Sequence, residues 1–210
     1  MKVTALKAQS RGRPRVNVFL DGKFAFGLAS IEAARLRVGQ ELSEADAARL
    51  RQADGVEQAY ERALRFLTVR PRSETEIRQR LRKHGASEAE IDGALERLRR
   101  AGLVDDGAFA GYWVDNRQSF RPRSKRALRA ELKRKGVPEA ELAAALGSVN
   151  DGEAAFRLAA RRAPRLKGLE PSEFRRKLSD FLARRGFEYQ TISEAVARVV
   201  TEAHRLEADD

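Results

Sequence analysis

The sequence predicts a mostly α fold, with tandem three-helix repeats forming an elongated curved array behind a small N-terminal β-hairpin or sheet and a covering helix. Three observations carry this. Arg70-Pro71-Arg72-Ser73 returns as Arg121-Pro122-Arg123-Ser124, and the residues after each copy agree at the same offset of 51: Ile77, Leu81 and Gly85 become Leu128, Leu132 and Gly136, and Glu90, Ile91 and Leu95 become Glu141, Leu142 and Leu146. Repetition at a fixed period marks one supersecondary unit used again. From Glu57 onward apolar residues recur at spacings of three and four, whereas residues 1–28 alternate apolar with polar. A charged fraction of 35% with 7% aromatic residues suits helical modules better than one thick core.

In the N-terminal stretch Val16, Val18 and Leu20 alternate. Asp21-Gly22 supplies a type I′ turn, in which both central residues need φ > 0, and Phe24 and Phe26 continue the pattern on the return strand. Residues 3–8 add a third strand after a loop over 10–14. A sheet this small needs cover. Residues 31–36 and a helix starting after Ser43 supply it, and that helix is expected to stop at Asp54-Gly55.

In the first module Tyr60, Ala63, Leu64 and Leu67 form the apolar stripe of the opening helix, and Pro71 ends that helix. Ser73 with Glu76 forms a capping box for the second, Gly85 takes the left-handed stop, and Ser87 with Glu90 caps the third. The second module places Phe109 and Trp113 on its first helix, Leu128 and Leu132 on its second, and Leu142, Leu146 and Val149 on its third. Pro138 replaces the Ser87 cap there, and Ala127 stands where Glu76 stood. A fainter third module begins near Asp151, where Val149-Asn150-Asp151-Gly152 echoes Val104-Asp105-Asp106-Gly107. Leu178, Leu182 and Gly186 come next at an offset of 50, and Ile192, Val196 and Val200 supply its last helix. The expected organisation is a β-rich extension with its helix over 1–56, repeat 1 over 57–106, repeat 2 over 107–149, and repeat 3 with a polar tail over 150–210. Stacked modules offer long surfaces rather than a deep pocket, which favours binding over catalysis.

The net charge of +11 and the isoelectric point near 10.5 point to a polyanionic partner, either nucleic acid or an acidic protein surface. With no cysteine, disulfides, thiol catalysis and cysteine-ligated metals are excluded. No apolar run approaches the ~20 residues that span a bilayer, and the start lacks an apolar signal region, so a soluble cytoplasmic protein without membrane contact is expected. Phosphate-loop and dinucleotide-binding glycine motifs are absent. The only histidines are His84, before the Gly85 stop, and His204, in the polar tail. Asp105-Asp106 reads as a helix N-cap with a first-turn charge. No catalytic residue, cofactor or metal is expected.

Charge is densest between 117 and 135, where Arg117, Arg121, Arg123, Lys125, Arg126, Arg129, Lys133, Arg134 and Lys135 share the stretch with one acid, Glu131. With Leu128 and Leu132 turned inward, Lys125, Arg129 and Lys133 line another side at spacings of four. Like charges so placed repel by a few tenths of a kcal/mol per pair (about 0.2–0.5), which a polyanion would relieve. The first module carries Arg70 and Arg72 in the corresponding place, with Arg78, Arg80, Arg82 and Lys83 beyond them. The third carries Arg175, Arg176 and Lys177, followed by Arg184 and Arg185. Of these, Arg70 and Arg72, the nine cations between 117 and 135, and Arg175, Arg176 and Lys177 are the candidate partner and nucleic-acid contacts. Guanidinium groups grip phosphates bidentately and the modules resemble helix-turn-helix units, but no distinctive base-reading set is present. Tyr112, Trp113 and Phe120 flank the basic loop as stacking candidates, although the helical spacing of Trp113 from Phe109 favours a core position.

Taken together, Leu103-Val104-Asp105-Asp106, Phe109-Ala110, the Arg-rich loop, Leu128-Arg129-Ala130-Glu131-Leu132 and Lys135-Gly136-Val137 resemble the central signature of the recombination regulator RecX family. The resemblance covers 59–146 well and the third module more loosely. The segment Asp21-Gly22-Lys23-Phe24-Ala25-Phe26-Gly27 is similar to the extension of longer members. The resemblance implies repeats that lodge in the groove of the RecA–single-stranded DNA filament and suppress strand exchange, ATP hydrolysis and co-protease activity without chemistry of their own. The expected partners are the RecA filament and the single-stranded DNA within it, with binding to free DNA left open, and a monomer is expected. Gly107-Ala108 and Val114-Asp115-Asn116-Arg117 depart from the family pattern, which is more basic there. The competing reading is an autonomous DNA- or RNA-binding protein with helix-turn-helix-like repeats.

Overall fold

The computed structural model describes residues 1–9 and 15–208, with side chains through 202. The expected loop over 10–14 and the side chain of His204 lie outside the described residues. The chain divides into two compact units, Met1–Arg70 with Ile77–Val104, and Pro71–Glu76 with Asp105–Asp210.

The first unit opens with an antiparallel sheet in the order β1 (Val3–Ala8), β2 (Arg15–Leu20), β3 (Lys23–Ala29). Asp21 and Gly22 both have positive φ, 48° and 81°, as the type I′ turn requires. Thr4 ties β1 to that turn: its Oγ1 donates to the Phe19 carbonyl at 3.1 Å and accepts the Gly22 N–H at 3.0 Å. The strict alternation expected through Phe24 and Phe26 fails on β3. Phe19 pairs with Phe24 and Val18 with Phe26, so Ala25 is an extra residue in the ladder. That bulge turns Phe24 to the outer face, 61% exposed and edge-on to Phe19, while Phe26 stays in the core with Val3, Val18, Leu20 and Leu28. Ala33 at the end of α1 (Ser30–Ala33), Leu36, Leu42 and Ala47 close this core, as the cover argument expects.

Asp54-Gly55 does not end a helix. After the Ser43–Asp46 capping box, α2 runs unbroken from Glu44 to Leu67. Asp54 is buried and accepts Arg15 Nη2 and Gln58 Nε2, both at 2.6 Å, so it anchors the helix to β2. Gly55 and Gly93 let α2 and α4 (Glu88–Arg100) approach closely, because the Glu90 side chain crosses Gly55 and Val56 lies over Gly93, where a Cβ would meet it at 2.8 Å. Ala59, Ala63 and Ala94 continue the close crossing, with Ile77 and Leu81 of α3 (Glu74–Lys83) completing the core. The Ser73–Glu76 and Ser87–Glu90 capping boxes and the left-handed Gly85 form as predicted.

In the second unit, α5 (Asp106–Phe120), α6 (Lys125–Arg134) and α7 (Glu139–Leu146) bury Phe109, Leu128, Leu132, Leu142 and Leu146 around one core. Then α8 (Asp151–Arg162), a 3-10 turn over Ala163–Leu166, α9 (Pro171–Ala183) and α10 (Tyr189–Ala208) enclose Leu158, Leu178, Leu182, Phe187, Ile192 and Val196. Val199 rather than Val200 is the next buried residue of α10, since it comes after Ile192 and Val196 at spacings of four and three. Gly136 and Gly186 take the left-handed stops, with φ of 75° and 89°.

A joint recurs within this unit. Ser73 Oγ accepts the Glu76 N–H at 3.2 Å and donates to the Lys135 carbonyl at 2.7 Å. Ser124 Oγ accepts the Ala127 N–H at 3.2 Å and donates to the Gly186 carbonyl at 2.7 Å. Beside each serine the next backbone N–H goes to an aspartate: Glu74 N–H to Asp106 Oδ1 at 2.8 Å and Lys125 N–H to Asp151 Oδ1 at 2.7 Å. Asp105 and Asn150 meanwhile cap their own helices, as expected for Asp105. The repeated Ser73 and Ser124 therefore each join a helix start to the turn after a later helix, and each adjacent aspartate helps satisfy the orphan donors of that start.

Candidate functional site

The basic stretch of the second module is organised around its one acid. Glu131 is buried on α6. Its Oε2 accepts Trp113 Nε1 at 2.8 Å and Arg117 Nε at 2.9 Å, and its Oε1 pairs with Arg123 Nε at 3.1 Å. Burial pushes this carboxyl up, but the hydrogen bonds from Arg117 and Trp113 and the charges of Arg117 and Arg123 outweigh it and hold the group below the usual glutamate range. The Trp113 ring is engaged by two cations, with Arg117 Cζ 4.3 Å and Lys135 Nζ 4.0 Å from its centroid. Lys135 also pairs with Glu76 at 2.8 Å. Arg117, Arg123 and Lys135, all expected as partner contacts, thus hold the module together, and Trp113 is engaged rather than open for stacking.

Acids near α6 are less scarce than its own sequence suggests. Glu139, at the start of α7, pairs with Arg129 and with Lys133, the latter at 3.3 Å. The repulsion along the Lys125, Arg129 and Lys133 row is therefore relieved in part from within. The same happens in the first unit, where Arg78 pairs with Glu88 and Asp92, and Arg82 with Glu88. In α9, Arg176 and Lys177 pair with Glu173, while Arg175 is exposed. Of the two arginines before the first module's second helix, Arg70 and Arg72 are each half-buried.

What stays open is the loop between α5 and α6 with the first turn of α6. Among the described residues Arg121, Lys125 and Arg126 are exposed without an ion pair, and Arg134 reaches only the Ala130 carbonyl at 3.3 Å. Phe120, just ahead of Arg121, is 77% exposed, and Tyr112 is partly so. The turn after α9 packs here: Arg185 Nη1 donates to the Pro122 carbonyl and Arg126 Nη2 to the Gly186 carbonyl, each at 3.4 Å. Burial, then the nearby charges of Arg123 and Arg121, push the Arg185 pKa down. The sequence places Arg185 in the third module's basic run but not beside this loop, because the contact with Pro122 spans 63 residues. The roles of Glu76 and Glu139 were likewise hidden, since each meets cations on a different helix.

No group of three or more metal-ligating side chains occurs among the described residues, and no helix among them is long and apolar enough to cross a membrane. His84 is exposed before Gly85. A cleft of about 250 Å³ in the first unit is lined by Arg15, Gln58, Glu61, Arg62 and Arg65.

The fold and this surface define a protein of tandem three-helix modules, with a small N-terminal sheet, that carries an arginine-rich loop. Family models place it further. The RecX N-terminal domain matches residues 1–43, and the first, second and third RecX three-helix domains match 59–98, 105–146 and 150–196. The chain belongs to the RecX family of regulatory proteins. It is 32% identical over 199 residues to the regulatory protein RecX of Bacillus licheniformis, covering 92% of this chain and 76% of that one. It is 37% identical over 161 residues to that of Streptomyces coelicolor, covering 75% and 83%. A crystal structure of regulatory protein RecX superposes with a TM-score of 0.68 at 28% identity, covering 96% of this chain and 98% of that one. RecX from Lactobacillus salivarius, at 22% identity and a TM-score of 0.62, shares the fold over 71% of this chain and 99% of that one.

Proposed function

We propose that this protein is a non-enzymatic regulator of homologous recombination that binds the RecA–single-stranded DNA filament and inhibits its ATP hydrolysis, strand exchange and co-protease activity. Membership of a family of regulatory proteins supports the regulatory role. The observation that carries the choice of partner is the open cationic loop at Arg121, Lys125 and Arg126, in a chain of net charge +11. Cations left without internal carboxylates suit a surface that lies along DNA phosphates or an acidic protein face. Further cations at Arg129, Lys133, Arg134, Arg175, Arg176 and Lys177 are exposed or partly so, and extend the basic surface over α6 and α9. The protein acts as a monomer in the cytoplasm in this reading.

The test is RecA ATP hydrolysis on single-stranded DNA as the protein is titrated in, beside a variant with Arg121, Arg123, Lys125 and Arg126 changed to alanine. Substoichiometric inhibition, weakened in the variant, is the expected result. Hydrolysis that does not slow at any ratio would reject the reading and leave autonomous nucleic-acid binding as the alternative.

A further inference from the structure

The α5–α6 loop and the α9–α10 turn bring together more positive charge than the chain neutralises. Ser124 fixes the two segments against each other, its N–H on the Arg185 carbonyl at 3.2 Å and its Oγ on the Gly186 carbonyl at 2.7 Å. Arg185 is held over the Phe181 ring, 4.7 Å from the centroid, with one N–H on Pro122. Arg126 uses one N–H on Gly186. A guanidinium has five N–H donors in a planar fork, so each of these keeps most of its donors for a ligand. Glu131, the acid on this side of the module, is committed to Trp113, Arg117 and Arg123. Among the described residues no carboxylate lies within ion-pair distance of Arg121, Arg126 or Arg185. The charges that act on Arg185 are Arg123 and Arg121, both cations, and part of its hydration is lost as well. Arg126 and Arg185 are each placed by a side-chain hydrogen bond to a backbone carbonyl, a preorganisation that lowers the ordering cost of binding an anion.

We infer that Arg121, Arg126 and Arg185 form a phosphate seat for a single nucleic-acid strand, with the exposed Phe120 ring beside it as a platform on which a base stacks. Arginine forks match phosphate oxygens bidentately, and every base has a face that an aromatic ring can take, so the seat is indifferent to sequence. A duplex keeps its bases stacked on one another and offers phosphates only, so the platform confers a preference for single strands. This rests on the proposed function in placing the protein on a DNA-bearing filament, but the seat is a property of the free chain.

The experiment measures binding of the full chain to a fluorescent oligothymidylate, and to a duplex of equal length, by anisotropy across about 50–200 mM salt. Phe120→Ala, a change at an exposed position, is expected to weaken single-strand binding at least ~5-fold while leaving duplex binding and the salt slope unchanged. Arg121→Ala is expected to reduce the slope of log K against log salt by ~0.7 on the single strand. Arg185→Ala should do the same, and its melting temperature reports separately on the Pro122 contact. Unchanged affinity and slope in both Phe120→Ala and Arg121→Ala would overturn the inference. So would equal weakening of single-strand and duplex binding by Phe120→Ala. Loss of RecA inhibition in Arg121→Ala with oligonucleotide binding intact would assign the arginines to an acidic protein face, overturning the seat and leaving the regulator reading in place. Oligonucleotide binding of the expected pattern without any RecA inhibition by the unaltered chain would do the reverse.

Discussion

Ser124 Oγ donates to the Gly186 carbonyl at 2.7 Å across 62 residues of chain, and it accepts the Ala127 N–H of its own helix at 3.2 Å. Ser73 stands in the same relation to Lys135, again 62 residues on. In each case one hydroxyl acts both as helix cap and as tertiary contact, and both serines are fully buried.

Removing either hydroxyl loses more than a cap. An exposed N-cap serine such as Ser87 changed to alanine costs ~1 kcal/mol. Ser73→Ala also strips the Lys135 carbonyl of its hydroxyl donor, adding ~1 kcal/mol, for about 2 kcal/mol in all. Ser124→Ala should fall between the two, because Arg126 remains on the Gly186 carbonyl. Urea midpoints of the three variants rank them, and equal losses at Ser73 and Ser87 would show that the tertiary bond contributes nothing.

Asp106 and Asp151 take the neighbouring backbone donors, and in both burial pushes the carboxyl pKa up. For Asp106 the bond from Glu74 N–H opposes that push, but the charges of Glu74, Asp105 and Glu141 add to it. The folded value lies above the unfolded one, so the ionised group is penalised in the fold. That penalty is fully present above the folded pKa and is relieved as pH falls through it toward the unfolded value. Asp106→Asn keeps the acceptor without the charge. It is expected to equal or exceed the parent in stability at pH 7, and to lose any advantage in acid. Asp106→Ala removes the acceptor and should cost ~1 kcal/mol at either pH. Denaturant midpoints at pH 7 and at about pH 4, near the unperturbed aspartate value, separate the cases. An asparagine variant as unstable as the alanine one would refute the assignment.

Glu131 has the opposite sign. Its folded pKa is depressed, so its contribution is present above the unfolded glutamate value near ~4.3 and is lost as pH falls through the folded one. Trp113, the only tryptophan, donates to this carboxylate and so reports on it. Its emission should shift in a transition below the ordinary glutamate range. Glu131→Gln should abolish that transition while lowering stability by about 1–3 kcal/mol, because Arg117 and Arg123 lose their counter-charge. An identical acid transition in the glutamine variant would place the titrating group elsewhere.

The parts of this fold that were legible in the sequence are those set by neighbours in the chain. The Ser73 and Ser87 capping boxes, the left-handed stop at Gly85 and the Asp21-Gly22 turn each depend on a few consecutive residues, and each formed as read. The Asp54-Gly55 stop failed because its outcome is decided at a distance. Arg15 and Gln58 satisfy Asp54 inside the helix, and Gly55 is there to admit Glu90. The candidate site shows the same division. Its cationic residues are visible as a run, but which of them are neutralised depends on Glu76 and Glu139 on other helices, and Arg185 joins the loop only through the fold.

Glycine at 136 has two reasons to be there, and a comparison with Gly102 separates them. Both have positive φ, 75° and 66°, so alanine at either is strained. A Cβ at Gly102 would meet open space, whereas at Gly136 it would run into Thr75, with Thr75 Cβ at 2.6 Å and Cγ2 at 2.9 Å. Thr75 lies in the first turn of α3, two residues past Ser73, so the clash falls where Ser73 reaches the Lys135 carbonyl. Gly102→Ala should cost about 1 kcal/mol, the usual penalty of a left-handed alanine. Gly136→Ala should cost about 1–3 kcal/mol more, the range for overpacking a filled site. Thr75→Ala, which clears the Oγ1 and Cγ2 atoms, should recover part of that excess in the double variant and none of the Gly102 loss. Equal costs at Gly102 and Gly136 would mean that the turn after α6 can move away from α3, and that the joint at Ser73 is looser than its 2.7 Å bond implies.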